Sequence, residues 1–207
     1  MPYIGSIARH LAGVGLPGLY GKLGLCRFHP KGYISPTCKM WHPKLYNEGN
    51  AYIGDGVTFY EDRNGGEVRL GLGVHIHENT RIQSGDGGSL DIGSGTHIQP
   101  QCQFSAYTGR IEIGRDVEIA PNCGFYPYNH EMDPAESIRA QPVYSRSGIS
   151  VGDEAWIGFG VVLLDGAKVG KGAVIAAGAV VSTEIPDYAI AGGIPARVIS
   201  QRAKHKT

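Results

Sequence analysis

The sequence predicts an all-β chain wound as a parallel β-helix, and two observations carry that prediction. The first is an aliphatic residue recurring every six places, a step that neither a 3.6-residue helical period nor simple alternation produces. It is clearest at Val151, Ile157, Leu163, Val169, Ile175 and Val181, six hits in a row. The second is glycine, 32 of 207 residues, about twice the usual share of ~7% and interspersed with Val, Ile and Leu. That mixture suits a fold with many regularly placed tight turns. Three hexads close one triangular coil, and the aliphatic residue opening each hexad points at the axis. There it stacks on its counterpart one coil away, about 4.8 Å along.

Taken in order, residues 1–50 read as an N-terminal cap or irregular segment. It is Gly-rich at first, and a short helix over residues 4–11 would cover the open end of the solenoid. Residues 51–199 read as the β-helix. Ile53 and Phe59 form a weak first pair; the clock then runs through Leu70, Ile76, Ile82, through Ile92, Ile98, Phe104, and through Ile113, Ile119, Phe125. Coil starts at Leu70, Ile92, Ile113 and Val151 lie 22, 21 and 38 residues apart where 18 would suffice. The two small excesses fall in Gly85-Asp86-Gly87-Gly88 and near Tyr107-Thr108-Gly109, both good turn material. The large one is a loop over residues 126–149, and long loops inside a compact repeat are where function concentrates. Residues 200–207 form a basic C-terminal tail, expected as a short helix or frayed end.

Lys+Arg and Asp+Glu both number 19, so the chain is formally neutral and has no basic stretch beyond that short tail, which argues against a dedicated nucleic-acid binder. No apolar run approaches the ~18 residues of a membrane span. The opening Met1-Pro2-Tyr3-Ile4-Gly5 lacks the basic and apolar regions of a signal peptide. The four cysteines, Cys26, Cys38, Cys102 and Cys123, are too scattered for a disulfide scaffold or zinc site. The expectation is a cytoplasmic protein with reduced thiols.

The hexads, Trp156-Ile157-Gly158, Ala176-Ala177-Gly178-Ala179-Val180-Val181 and the ending Gly192-Gly193-Ile194-Pro195-Ala196-Arg197-Val198-Ile199 resemble the hexapeptide-repeat acyltransferases. Within that superfamily, Asn129-His130-Glu131-Met132-Asp133-Pro134 is similar to the catalytic loop of the maltose, galactoside and nodulation-type O-acetyltransferases. Ile138-Arg139-Ala140-Gln141 and Gly148-Ile149-Ser150-Val151-Gly152 are similar to acetyltransferases of surface polysaccharides. The resemblance covers about Ile92 to Ile199. It implies a left-handed β-helix assembled as a homotrimer, active sites between subunits, acetyl-CoA as cosubstrate and a sugar or saccharide as acceptor. It also implies an O-acetyltransferase of surface polysaccharide biosynthesis. The competing readings are an antibiotic acetyltransferase, an amino-sugar N-acetyltransferase, a metal-dependent protein resembling the γ-carbonic anhydrases, and a non-catalytic scaffold.

Acetyl transfer to a hydroxyl needs a base near neutrality, and imidazole has the right pKa, about 6.5. His130, in the one long insertion, is the candidate. Its far nitrogen needs a carboxylate or carbonyl to fix the tautomer, and Glu131 and Asp133 are the nearby choices. Asp133-Pro134 reads equally as a turn initiator. Asn129 could hold the loop or touch the acceptor. Where the galactoside-type enzymes have an asparagine one coil earlier, this chain offers Gln101 as a possible amide substitute. The resemblance places Trp156, Phe159, Ala177 and Ser182 along the coenzyme A groove and Arg197 near its phosphates. Trp156 is equally explained as cover for a coil face. Tyr126, Tyr128 and Tyr144 could stack on a sugar or pack the loop, with packing favoured. His75 and His97 each precede an inward aliphatic residue, so they fall in one column with Glu118 next. The three-histidine pattern of the γ-carbonic anhydrases is absent, and no metal is expected. Cys102 and Cys123 share another column.

Overall fold

The computed structural model describes residues 22–24, 26 and 29–203. Its chain winds through seven three-strand coils, stacked in parallel so that each strand pairs with its counterpart one coil on. The first face is the ladder Gly32–Ile34, Ala51–Ile53, His75–Ile76, His97–Ile98, Glu118–Ile119, Trp156–Ile157, Val174–Ile175 and Ala189–Gly192. The second face is Lys39–Trp41, Thr58–Glu61, Arg81–Ser84, Gln103–Ala106, Gly124–Tyr126, Val162–Leu164 and Val180–Val181. The third is Leu45–Asn47, Val68–Leu70, Ser89–Ile92, Arg110–Ile113, Ile149–Val151, Lys168–Val169 and Glu184–Ile185.

The hexad residues occupy the axis in register. Ile53, Ile76, Ile98, Ile119, Ile157 and Ile175 stand one above another on the first face. Phe59, Ile82, Phe104, Phe125, Leu163 and Val181 do so on the second, and Leu70, Ile92, Ile113, Val151, Val169 and Ile185 on the third. All are buried, and Phe104 stacks on Phe125 with centroids 4.3 Å apart. The architecture expected from the six-residue clock is the one observed. Cys102 and Cys123 fill a corner beside this column as buried thiols, their Sγ atoms donating to the carbonyls of Ala120 and Gly158.

The corner between the third and first faces shows why glycine is needed. A Cβ on Gly93 would lie 2.6 Å from the carbonyl carbon of Gly114, and one on Gly114 would lie 2.6 Å from the amide nitrogen of Asp153. Successive backbones pass too closely there for any side chain.

Two boundaries differ from those the hexads suggest. The solenoid begins at Gly32, not residue 51: Gly32–Ile34 pairs in parallel with Ala51–Ile53, and Lys39–Trp41 with Thr58–Glu61. This coil escapes a hexad search because the residue in register with Leu70 is the polar Asn47, seven places after Met40. At the far end, Arg197–Gln201 turns back antiparallel onto Ala189–Gly192, so the basic tail begins as strand and not as helix. The expected helix over residues 4–11 and the last four residues lie outside the described residues.

Candidate active site

The long insertion leaves the corner between the second and third faces and folds on itself. Asn129–His130 pairs antiparallel with Val143–Tyr144, and the Glu131 amide extends the ladder to the Pro142 carbonyl at 3.0 Å. Beyond it the loop tip holds one 3-10 turn, Ile138–Ala140. Gln141 organises the tip from inside. Its buried amide donates to the carbonyls of Asp133 and Glu136, each at 3.0 Å, and its Oε1 accepts from the Asp133 amide at 2.7 Å. The Asp133 carboxylate accepts from the Ala135 amide at 2.8 Å, the geometry of a turn initiator. His130 and Glu131 are exposed at the edge of this hairpin.

The base of the hairpin is fastened to the solenoid by one carboxylate. Asn129 Nδ2 donates to Asp165 Oδ2 at 3.0 Å, and the Arg146 amide reaches the same oxygen at 2.9 Å. Asp165 Oδ1 accepts from Ser145 Oγ at 3.2 Å and from the amides of Ser147 and Gly148 at 3.2 and 2.9 Å. Burial alone would raise the Asp165 pKa. The three amides and the hydroxyl outweigh it and hold the group below the usual carboxylate range. Sequence reasoning missed both Gln141, as a structural group, and Asp165. The signal for Asp165 is slight: an acidic residue before Gly166 in a hexad corner, where many solvated turns read the same.

The tyrosines serve the loop and the face beneath it. Tyr126 donates to Gln103 Oε1 at 2.9 Å, the Tyr128 hydroxyl lies 3.3 Å from Ser105 Oγ, and Tyr144 carries the Arg146 guanidinium above its ring.

The remaining candidates sit elsewhere. Phe159 and Ala177 share the corner between the first and second faces on successive coils, joined by the Gly178 amide to the Phe159 carbonyl at 2.8 Å. Trp156 is on the adjoining first face, and it and Phe159 are large apolar groups, each left 55% exposed by the described residues. Ser182 lies just past the end of the second face and is exposed, apart from that corner. Arg197 faces Gly192 across the terminal antiparallel pair, exposed, with one nitrogen on the Ala196 carbonyl at 2.8 Å. Gln101 occupies the same corner further back, with φ +65, among Asn79, Asn122 and Gly160 at matching positions. That backbone is the left-handed region, so its placement follows a turn requirement. Within one chain, then, His130 departs from one edge of the second face while Phe159, Ala177 and Gln101 occupy the other.

The column His75, His97, Glu118 forms on the first face as the spacing predicts. The two imidazoles stack with centroids 4.3 Å apart, and His97 Nδ1 is 3.4 Å from Glu118 Oε1. Burial first, then the neighbouring His97 and His77, pushes His75 down to about 4. Among the described residues no three His, Cys, Asp or Glu side chains converge in a way that could hold a metal ion. None of the described helices is long and apolar enough to cross a membrane.

Residues 148–183 match the bacterial transferase hexapeptide (six repeats) family. Over 165 residues, 79% of this chain, the sequence is 32% identical to the Mycobacterium tuberculosis protein named "Probable acetyltransferase Rv3034c", of which the match covers 54%. The chain thus spans about half the length of that curated relative. Among solved structures, the polySia specific acetyltransferase NeuO superposes with a TM-score of 0.61 at 20% identity, over 83% of this chain and 87% of NeuO. A mutant of AntD, a Bacillus cereus N-acyltransferase in complex with dTDP-4-amino-4,6-dideoxyglucose and coenzyme A, gives 0.51 at 17% identity, over 83% and 80%. At such identities both likenesses speak for the fold. Repeat, coil register and relatives point the same way: the chain carries bacterial transferase hexapeptide repeats over residues 148–183 and is similar in sequence to a protein named as a probable acetyltransferase.

Proposed function

We propose that the protein is an acetyl-CoA-dependent O-acetyltransferase acting on a sugar hydroxyl, with His130 as general base and direct transfer in a ternary complex. The observation that carries this reading is the exposed imidazole at the edge of a hairpin clamped to an otherwise regular solenoid. A neutral imidazole takes the hydroxyl proton as the oxygen attacks the thioester carbonyl. Collapse of the tetrahedral adduct expels the coenzyme A thiolate, which recovers the proton from the imidazolium. No acetyl-enzyme is required. Trp156 and Phe159 supply uncovered apolar surface for the pantetheine arm, and Arg197 a guanidinium for the nucleotide phosphates.

The active unit is a homotrimer with sites between copies. The separation of His130 from the Phe159–Ala177 corner within one chain supports it, since a neighbouring copy can bring one edge to the other. The four free thiols suit a cytoplasmic location, where a sugar nucleotide or lipid-linked saccharide bound for a surface polysaccharide would be met.

The test is release of coenzyme A thiol from acetyl-CoA with a panel of sugar acceptors. His130→Ala is expected to lose roughly 10²- to 10⁴-fold in turnover, the worth of general base catalysis. Wild-type turnover in that variant overturns the assignment of the base. Mass spectrometry of the product separates an ester from the amide an amino sugar would give.

A further inference from the structure

We infer that Asp165 is the positioning residue of the active site, fixing where His130 stands by clamping both legs of the insertion to the solenoid. This rests on the reading of His130 as the base. The outgoing leg is held through Asn129, the immediate neighbour of His130, and the returning leg through Ser145, Arg146, Ser147 and Gly148. Asn129 also pairs with Tyr144 across the hairpin, so the two legs meet at the carboxylate that holds them. Asp165 itself follows Val162–Leu164 on the second face, an element locked into the parallel ladder on both sides. Five donors converge on two oxygens, a demand that suits an ionised carboxylate, which only accepts and has no proton to misdirect. A carboxamide of the same shape would turn an N–H toward at least one of them. Asn129, for its part, spends its side-chain donor on this tether.

The consequence is a division of labour: His130 does the chemistry, and the corner of the following coil decides where it is. Misplacing a catalytic group by about 1 Å costs on the order of 10²-fold. Asp165→Ala is therefore expected to lower kcat roughly 10²-fold while the KM for acetyl-CoA stays within about twofold, because none of the candidate coenzyme A residues Trp156, Phe159, Ala177, Ser182 and Arg197 is a partner of Asp165. Asp165→Asn falls between the two. The amides of Arg146, Ser147 and Gly148 should exchange with deuterium faster in Asp165→Ala, and those of the inward column, such as Ile157 and Ile175, unchanged. Adding Asp165→Ala to His130→Ala should cost no further activity, since the clamp acts through the imidazole.

Unchanged kcat in Asp165→Ala, with His130→Ala inactive, overturns the clamp and leaves the base in place. Additive losses in the double variant overturn it as well, by showing an effect independent of His130. If His130→Ala turns over normally, the reading of the base falls and the positioning role falls with it. The exchange of the three amides still decides whether Asp165 orders the loop.

Discussion

His75 is a residue whose surroundings dominate its chemistry. It is boxed by Tyr52, His77 and the stacked His97, with Glu118 beyond, and burial is the largest reason its pKa sits near 4. An unfolded histidine titrates at about 6.5. Between those values the unfolded chain binds the proton and the folded chain does not. Stability is therefore fully present above about pH 6.5 and drains as pH falls toward 4. Differential scanning calorimetry at pH 7 and at about pH 4.5 should show a smaller fall in Tm for His75→Gln than for wild type. Equal falls would assign the acid sensitivity to other groups. His130 contrasts with it: it lies on a loop edge, exposed to solvent. The fastening that gives such a group a fixed address comes from Asp165, a residue 35 positions later. The Asn-His pair stood out in the sequence as a candidate because an imidazole in a long insertion titrates near neutrality. Asp165 did not, because a corner carboxylate takes on its role only when the loop folds back on it.

Each corner of the coil has its own rule, and the glycines show two of them. At Gly93 the obstacle to a side chain is backbone of the next coil, Gly114 and Arg115, which cannot swing away. At Gly160 nothing lies within 4 Å of an added Cβ, and only the φ of +66 resists substitution. Gly160→Ala should cost about 1–2 kcal/mol, the ordinary penalty for a left-handed alanine. Gly93→Ala should cost more, because the ladder must open to admit it. Thermal unfolding of the two variants tests the ranking; equal shifts would mean that coils separate without penalty at the first corner. The hexads were readable for the same reason the fold is rigid: every sixth side chain meets its copy along the axis. The first coil was not, since Asn47 stands in register with Leu70 and leaves its inward triad without a third apolar member. The hairpin at Asn129 and Val143 was invisible too, two-residue strands being too short to show alternation.

At the scale of the whole molecule, the separation of the two candidate edges makes the assembly testable through activity. If His130 and Arg197 serve one site from different copies, then His130→Ala and Arg197→Ala chains, each weak alone, should complement when unfolded together and refolded as a mixture. With random assortment about one interface in four would carry both intact groups. Activity near a quarter of wild type supports shared sites, and no recovery in well-mixed oligomers places each site within a single chain. The described portion of the chain also has an unequal pair of ends. A stack of parallel coils is a template that another molecule's coil could continue, as fibrils do. Arg197–Gln201 runs the opposite way, with a register shift between Ile190 and Ala191, and so lays a mismatched rail across the first face's last rung. Those five residues give the particle a natural stopping point there, an insurance against polymerisation that the repeat itself does not supply.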